Sequence, residues 1–107
     1  MLFIVQTENV ARTGSERERH REHVLGTDAP EGTKTAYLRV DGRGSFVLVE
    51  APDEATAQKH AQEFSPYAQV VQVVPVITRD AFVAHLPSKP EGQPVREFLQ
   101  ELARKLG

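Results

Sequence analysis

Alternate positions from Thr33 to Val40 and again from Ser45 to Glu50 fall into two unlike sets of side chains, and the runs are joined at Asp41-Gly42-Arg43-Gly44. Such alternation sends successive side chains to opposite sides of a sheet, so the pair predicts a β-hairpin with two distinct faces. One face carries Ala36, Leu38, Val40, Val47 and Val49, with Ser45 its single polar member. That face calls for a helix layer. The other carries Thr35, Tyr37, Arg39, Phe46, Leu48 and Glu50, too apolar for plain solvent surface and too polar for an ordinary core. The mixture points to a lined cavity or a subunit interface.

The same kind of reading orders the rest of the chain. Leu2 to Thr7 is a short apolar run and predicts a first strand, with Gln6 on the side of Leu2 and Ile4. A helix is predicted from about Ser15 to Leu25, because Ser15 and Glu18 have the spacing of a capping box and Gly26 suits a left-handed C-terminal position. Its run Glu16-Arg17-Glu18-Arg19-His20-Arg21-Glu22-His23 leaves little apolar surface, so weak docking is expected. Thr27 to Gly32 reads as a loop. A second helix opens at Asp53 as N-cap, presents Ala57, Ala61 and Phe64 inward with His60 beside them, and ends at Ser65-Pro66-Tyr67. Gln69 to Ile77, dense in β-branched residues, predicts a fourth strand, on which Gln72 shares a face with Val70, Val74 and Val76. Pro75 cannot donate to a ladder, so this strand needs an unpaired side or a stop.

The order β-α-β-β-α-β is the ferredoxin-like one, an α+β class with an antiparallel sheet, expected over residues 1–78. Residues 79–107 form a second segment. Asp80 to Leu86 predicts one or two helical turns, Pro87 to Pro94 a linker, and Val95, Phe98, Leu99, Leu102 and Leu106 the stripe of a C-terminal helix that packs on the domain or on a partner subunit.

Composition narrows the function classes. With 107 residues the length suits one domain. There is no cysteine, which excludes disulfides, thiolate metal sites and a cysteine nucleophile, and fits a reducing compartment. The net charge of −2 and a pI near 6.1 give no global reason to bind nucleic acid or an acidic membrane. No apolar run approaches the roughly 20 residues that span a bilayer. Met1-Leu2-Phe3-Ile4-Val5-Gln6 lacks the features of a signal peptide, so a cytoplasmic location is expected.

Several segments carry a resemblance. Met1-Leu2-Phe3-Ile4-Val5, Pro30-Glu31-Gly32-Thr33-Lys34 and Phe46-Val47-Leu48-Val49-Glu50 resemble the corresponding pieces of dimeric α+β barrel proteins. Phe64-Ser65-Pro66-Tyr67, with the strand ending Val74-Pro75-Val76-Ile77, resembles the close of the muconolactone isomerase barrel and, more nearly, of short bacterial relatives of unknown function. The resemblance covers about residues 1 to 78. It implies a homodimer in which two four-stranded sheets face each other with helices outside, and the partner sheet then covers the mixed face. The polar first helix and the tail after Pro87 depart from the isomerases.

On the mixed face Gln6, Tyr37, Arg39, Glu50 and Gln72 are the candidate ligand-binding residues, a few polar groups among apolar walls. Arg39 suits a small organic anion, and Glu50 or Tyr37 is placed to move a proton in an isomerase-like, cofactor-free reaction. The structural alternative pairs Arg39 with Glu50 across the hairpin. The leading reading is a small-ligand-binding or accessory protein; the enzyme is the alternative. His20 and His23, three apart on a helix, have a spacing two metal ligands can use, but solvated surface is the expected reading and no metal is implied. An RNA-recognition module shares the element order, yet Phe3 and Phe46 fall on opposite faces and so cannot stack neighbouring bases.

Overall fold

The computed structural model describes residues 1–26, 31–63 and 66–106. The elements are β1 (Leu2–Asn9), α1 (Gly14–Gly26), β2 (Thr33–Leu38), β3 (Gly44–Glu50), α2 (Glu54–Gln62), β4 (Ala68–Val76), α3 (Arg79–His85), a 3-10 turn at Leu86–Ser88, and α4 (Val95–Leu106). The four strands form one antiparallel sheet in the order β2-β3-β1-β4, the ferredoxin-like arrangement. Phe64 and Ser65, expected in the second helix and its stop, and Thr27 to Pro30 of the predicted loop lie outside the described residues.

The core sits between the sheet and α2. Phe3, Val5, Val47 and Val49 point to that side and meet Ala57 and Ala61, whose small side chains let the helix approach closely. Val5, Val47 and Val49 are the largest side chains wholly removed from solvent. Each contributes about 1.5–3 kcal/mol of burial. Asp53 caps α2 as expected, its carboxylate accepting from the Thr56 amide at 2.7 Å. On the same side of the sheet Thr7 and Ser45, both buried, satisfy each other through a 2.7 Å hydroxyl pair.

Four local expectations change. The capping box of α1 is Thr13-x-x-Glu16, two residues earlier than the Ser15–Glu18 reading: Thr13 Oγ1 accepts from the Glu16 amide at 3.1 Å and Glu16 Oε1 from the Thr13 amide at 3.0 Å. Gly26 is the last helical residue, and among the described residues positive φ occurs at Gly32, Gly42 and Gly92. Strand β2 ends at Leu38, so Val40 lies exposed in the turn and not under a helix. A register shift in β4 opposite Gln6 and Thr7 turns Val70 to the core side, away from Gln72.

Helix α1 buries no residue, in keeping with its polarity. Pro75 lies on the edge strand β4 opposite Phe3, where its missing donor faces outward. Beyond the sheet, α3 follows its N-cap Thr78 and begins at Arg79, one residue before the predicted start, and Phe82 meets Phe98 of α4 edge-on at 6.2 Å. Phe98 and Leu102 are the buried members of the α4 stripe. The radius of gyration is 16.6 Å, against about 13 Å for a compact chain of this length. The helical pair therefore extends the molecule past the end of the sheet.

Candidate functional site

The sheet side opposite α2 carries no helix over its centre, and the strand registers arrange its side chains in rows. Tyr37 pairs with Phe46, Phe46 with Gln6, and Gln6 with Gln72, so these four residues cross the whole sheet in line. The next row is Thr35, Leu48, Ile4 and Val74. The third holds Glu50, Leu2 and Val76, with Lys34 of β2 joining it. Lys34 reaches this side because the register of β2 shifts between Thr33 and Thr35. Its ammonium meets Glu50 Oε2 at 2.9 Å. The hydrogen bond from Lys34, and next its charge, hold the Glu50 carboxyl below its usual pKa.

Of the five candidate ligand-binding residues, Gln6, Gln72 and Tyr37 share one row, and Glu50 stands on the same face two rows away. The separation along β3 from Phe46 to Glu50 is about 13 Å. Arg39 is elsewhere. The strand has ended at Leu38, and the Arg39 guanidinium turns to Asp41 Oδ2 at 2.6 Å within the hairpin turn. Its backbone amide bonds to the Gly44 carbonyl, which sets it about 20 Å along the hairpin from Glu50. Neither the shared anion site nor the cross-hairpin Arg39–Glu50 pair forms. Phe3 is buried against the helix side while Phe46 is on the open side, so no aromatic platform for stacked bases exists between them.

A second concavity lies on the other side of the sheet, under α1, with a volume of about 300 Å³. Its floor holds Thr7 and Ser45, and its walls hold Leu38 and Arg39 from the hairpin and His20, Arg21, Val24 and Leu25 from α1. His20 lies edge-on to Tyr67, with ring centroids 6.4 Å apart. Partial burial first, and the neighbouring charge of His23 second, lower the His20 pKa. Among the described residues no group of three or more histidine, aspartate or glutamate side chains is gathered as for a metal. Sequence reasoning missed this cavity, since a weakly docked helix is legible but the space it leaves is not. It also missed Lys34 as the partner of Glu50, because strict alternation puts them on different faces.

Fold and surface together define an α+β protein of ferredoxin-like topology with one uncovered, largely apolar sheet face. A family model described as a domain of unknown function, DUF3303, matches residues 1–89, and the chain belongs to that family. The match takes in the sheet, α1 to α3 and the 3-10 turn, and stops before α4. No curated protein matches the chain. Among the described residues no helix is long and apolar enough to cross a membrane.

Proposed function

We propose that this protein is a homodimer of the dimeric α+β barrel type, with two sheets meeting through their open faces around an interior that binds a small organic molecule. The observation that carries the reading is the uncovered central surface. Ile4, Phe46 and Val74 remain 38%, 40% and 37% exposed, beside Leu2, Leu48 and Val76. An antiparallel sheet that faces water on one side normally alternates to polar residues there. A contiguous apolar patch calls for a cover, and an identical face supplies one through isologous symmetry. Gln6, Gln72 and Tyr37 then provide the few oriented polar groups of an otherwise apolar pocket.

Binding is favoured over an isomerase-like proton shift. That chemistry needs an anion-holding guanidinium and an acid or base in one place, whereas Arg39 and Glu50 stand at opposite ends of the hairpin with other partners. The absence of cysteine suits a reducing compartment, and we place the protein in the cytoplasm.

Sedimentation velocity tests the assembly. The wild-type chain should sediment as a dimer across the micromolar range. Ile4→Asp, which puts charge on the open face and leaves the core untouched, should give a folded monomer. A wild-type monomer, or a dimer indifferent to Ile4→Asp, overturns the reading.

A further inference from the structure

The cavity under α1 has three properties that together select a ligand. Among the described residues its lining contains two guanidiniums, Arg21 and Arg39, and no carboxylate, in a chain whose net charge is −2. Val24, Leu25 and Leu38 give its walls an aliphatic part beside the polar His20 and Asn9, and Leu38, although on the core side of the sheet, is 69% exposed because α1 does not close over it. Its floor is the Thr7–Ser45 hydroxyl pair, the two residues only 3% and 7% exposed. In such a pair one hydroxyl donates to the other, which leaves one hydroxyl hydrogen for a further acceptor.

The two guanidiniums are engaged to different degrees, Arg39 being the more firmly held. Arg21 lies 3.8 Å from Glu18 in an exposed pair, a contact of little energetic weight. Arg39 gives an N–H to Asp41 but retains the rest of its donor fork. The volume of about 300 Å³ is at the lower limit of ordinary small-molecule pockets.

We propose that this cavity is a binding site for a small amphipathic carboxylate, its head held by Arg21 and Arg39 and its short apolar body lying against Val24, Leu25 and Leu38. The hydroxyl pair on the floor supplies an additional donor. The site is on the opposite side of the sheet from the dimer face proposed above, so either proposal can fail without the other.

Amide-resolved NMR titration of the full chain with hexanoate, and with hexan-1-ol as the uncharged counterpart, is the test. Hexanoate should give saturable shifts at the amides of Thr7, Val24, Leu38 and Ser45 at millimolar concentration, and the alcohol should bind more weakly. Leu38→Glu places a repelling carboxylate at an exposed position and should weaken hexanoate by roughly tenfold or more. Arg21→Gln, at a side chain 70% exposed, should weaken the acid while leaving the alcohol unchanged, and it serves even where Leu38→Glu disturbs the fold. Equal binding of acid and alcohol, shifts centred on Phe46 and Gln6, or indifference to both variants overturns the proposal.

Discussion

Gly44 stands where β3 begins beside β1, and a Cβ there would fall on the Thr7 carbonyl oxygen, a backbone atom that cannot swing aside. Its φ is unexceptional, so close approach alone demands glycine. Gly44→Ala should cost about 2 kcal/mol, the penalty of overpacking a fixed backbone, measured by urea denaturation. An unchanged midpoint would show that the strands can part at no cost. Gly32 meets both demands, with φ +82° and the Glu50 carbonyl in the way of a Cβ. Glu50 offers a titration test at the same scale. Its folded pKa lies below the unfolded value because of Lys34, so its contribution is present above the unfolded carboxylate value. That contribution is lost as pH falls through the folded one. Lys34→Gln should move the Glu50 titration back towards the ordinary carboxylate range by carboxyl-detected NMR. Its failure to move would assign the shift to another neighbour.

At the scale of elements, α1 is held by its own cap more than by docking. Thr13 and Glu16 satisfy each other's amides, yet no side chain of the helix is buried. Thr13→Ala should remove about 1 kcal/mol of local helix stability. It should appear as faster amide exchange within α1, with the exchange of Val5 and Val47 unchanged. Slower exchange of the core amides in parallel would mean that α1 is coupled to the sheet more tightly than its burial indicates. The polarity of this helix is plain in the run from Glu16 to His23, and weak docking follows from it directly. The end of β2 is not plain, because alternation runs on through Arg39 and Val40 without a break. Where the strand stops depends on the turn at Asp41, whose side chain accepts from the Arg43 amide at 2.9 Å and from the Arg39 guanidinium. That turn chemistry withdrew Arg39 from the candidate site. The register shifts at Lys34 and opposite Gln6 and Thr7, where Val71 is the extra residue of β4 between Val70 and Gln72, are likewise invisible to a period-two reading, since an extra residue in one strand shows only against its partner.

At the scale of the whole molecule, α3 and α4 touch through Phe82 and Phe98 and lie beside the end of the sheet at Met1, Val76 and Ile77. The family match stops before α4, and the pair has its own contact in Phe82–Phe98. Phe98→Asp should strip amide protection from α3 and α4 while the strands keep theirs, in a hydrogen-exchange measurement. Loss of protection in both regions together would show one cooperative unit. The open sheet face is the other property of this scale. Its three rows are assembled from four strands, and no single segment reveals that Tyr37, Phe46, Gln6 and Gln72 stand in line.

The amino-acid sequence by itself determined the β-α-β-β-α-β order, the core face of Val47 and Val49 and the Asp53 cap, because burial periodicity and capping are local and repeat along one segment. Only the tertiary structure decided that Glu50 belongs to Lys34, that Arg39 belongs to the hairpin turn, and that a cavity opens under α1. The first and last depend on register between strands and on how closely a helix seats, which one segment does not show, and the Arg39 outcome depends on the hydrogen bonds by which Asp41 closes the turn.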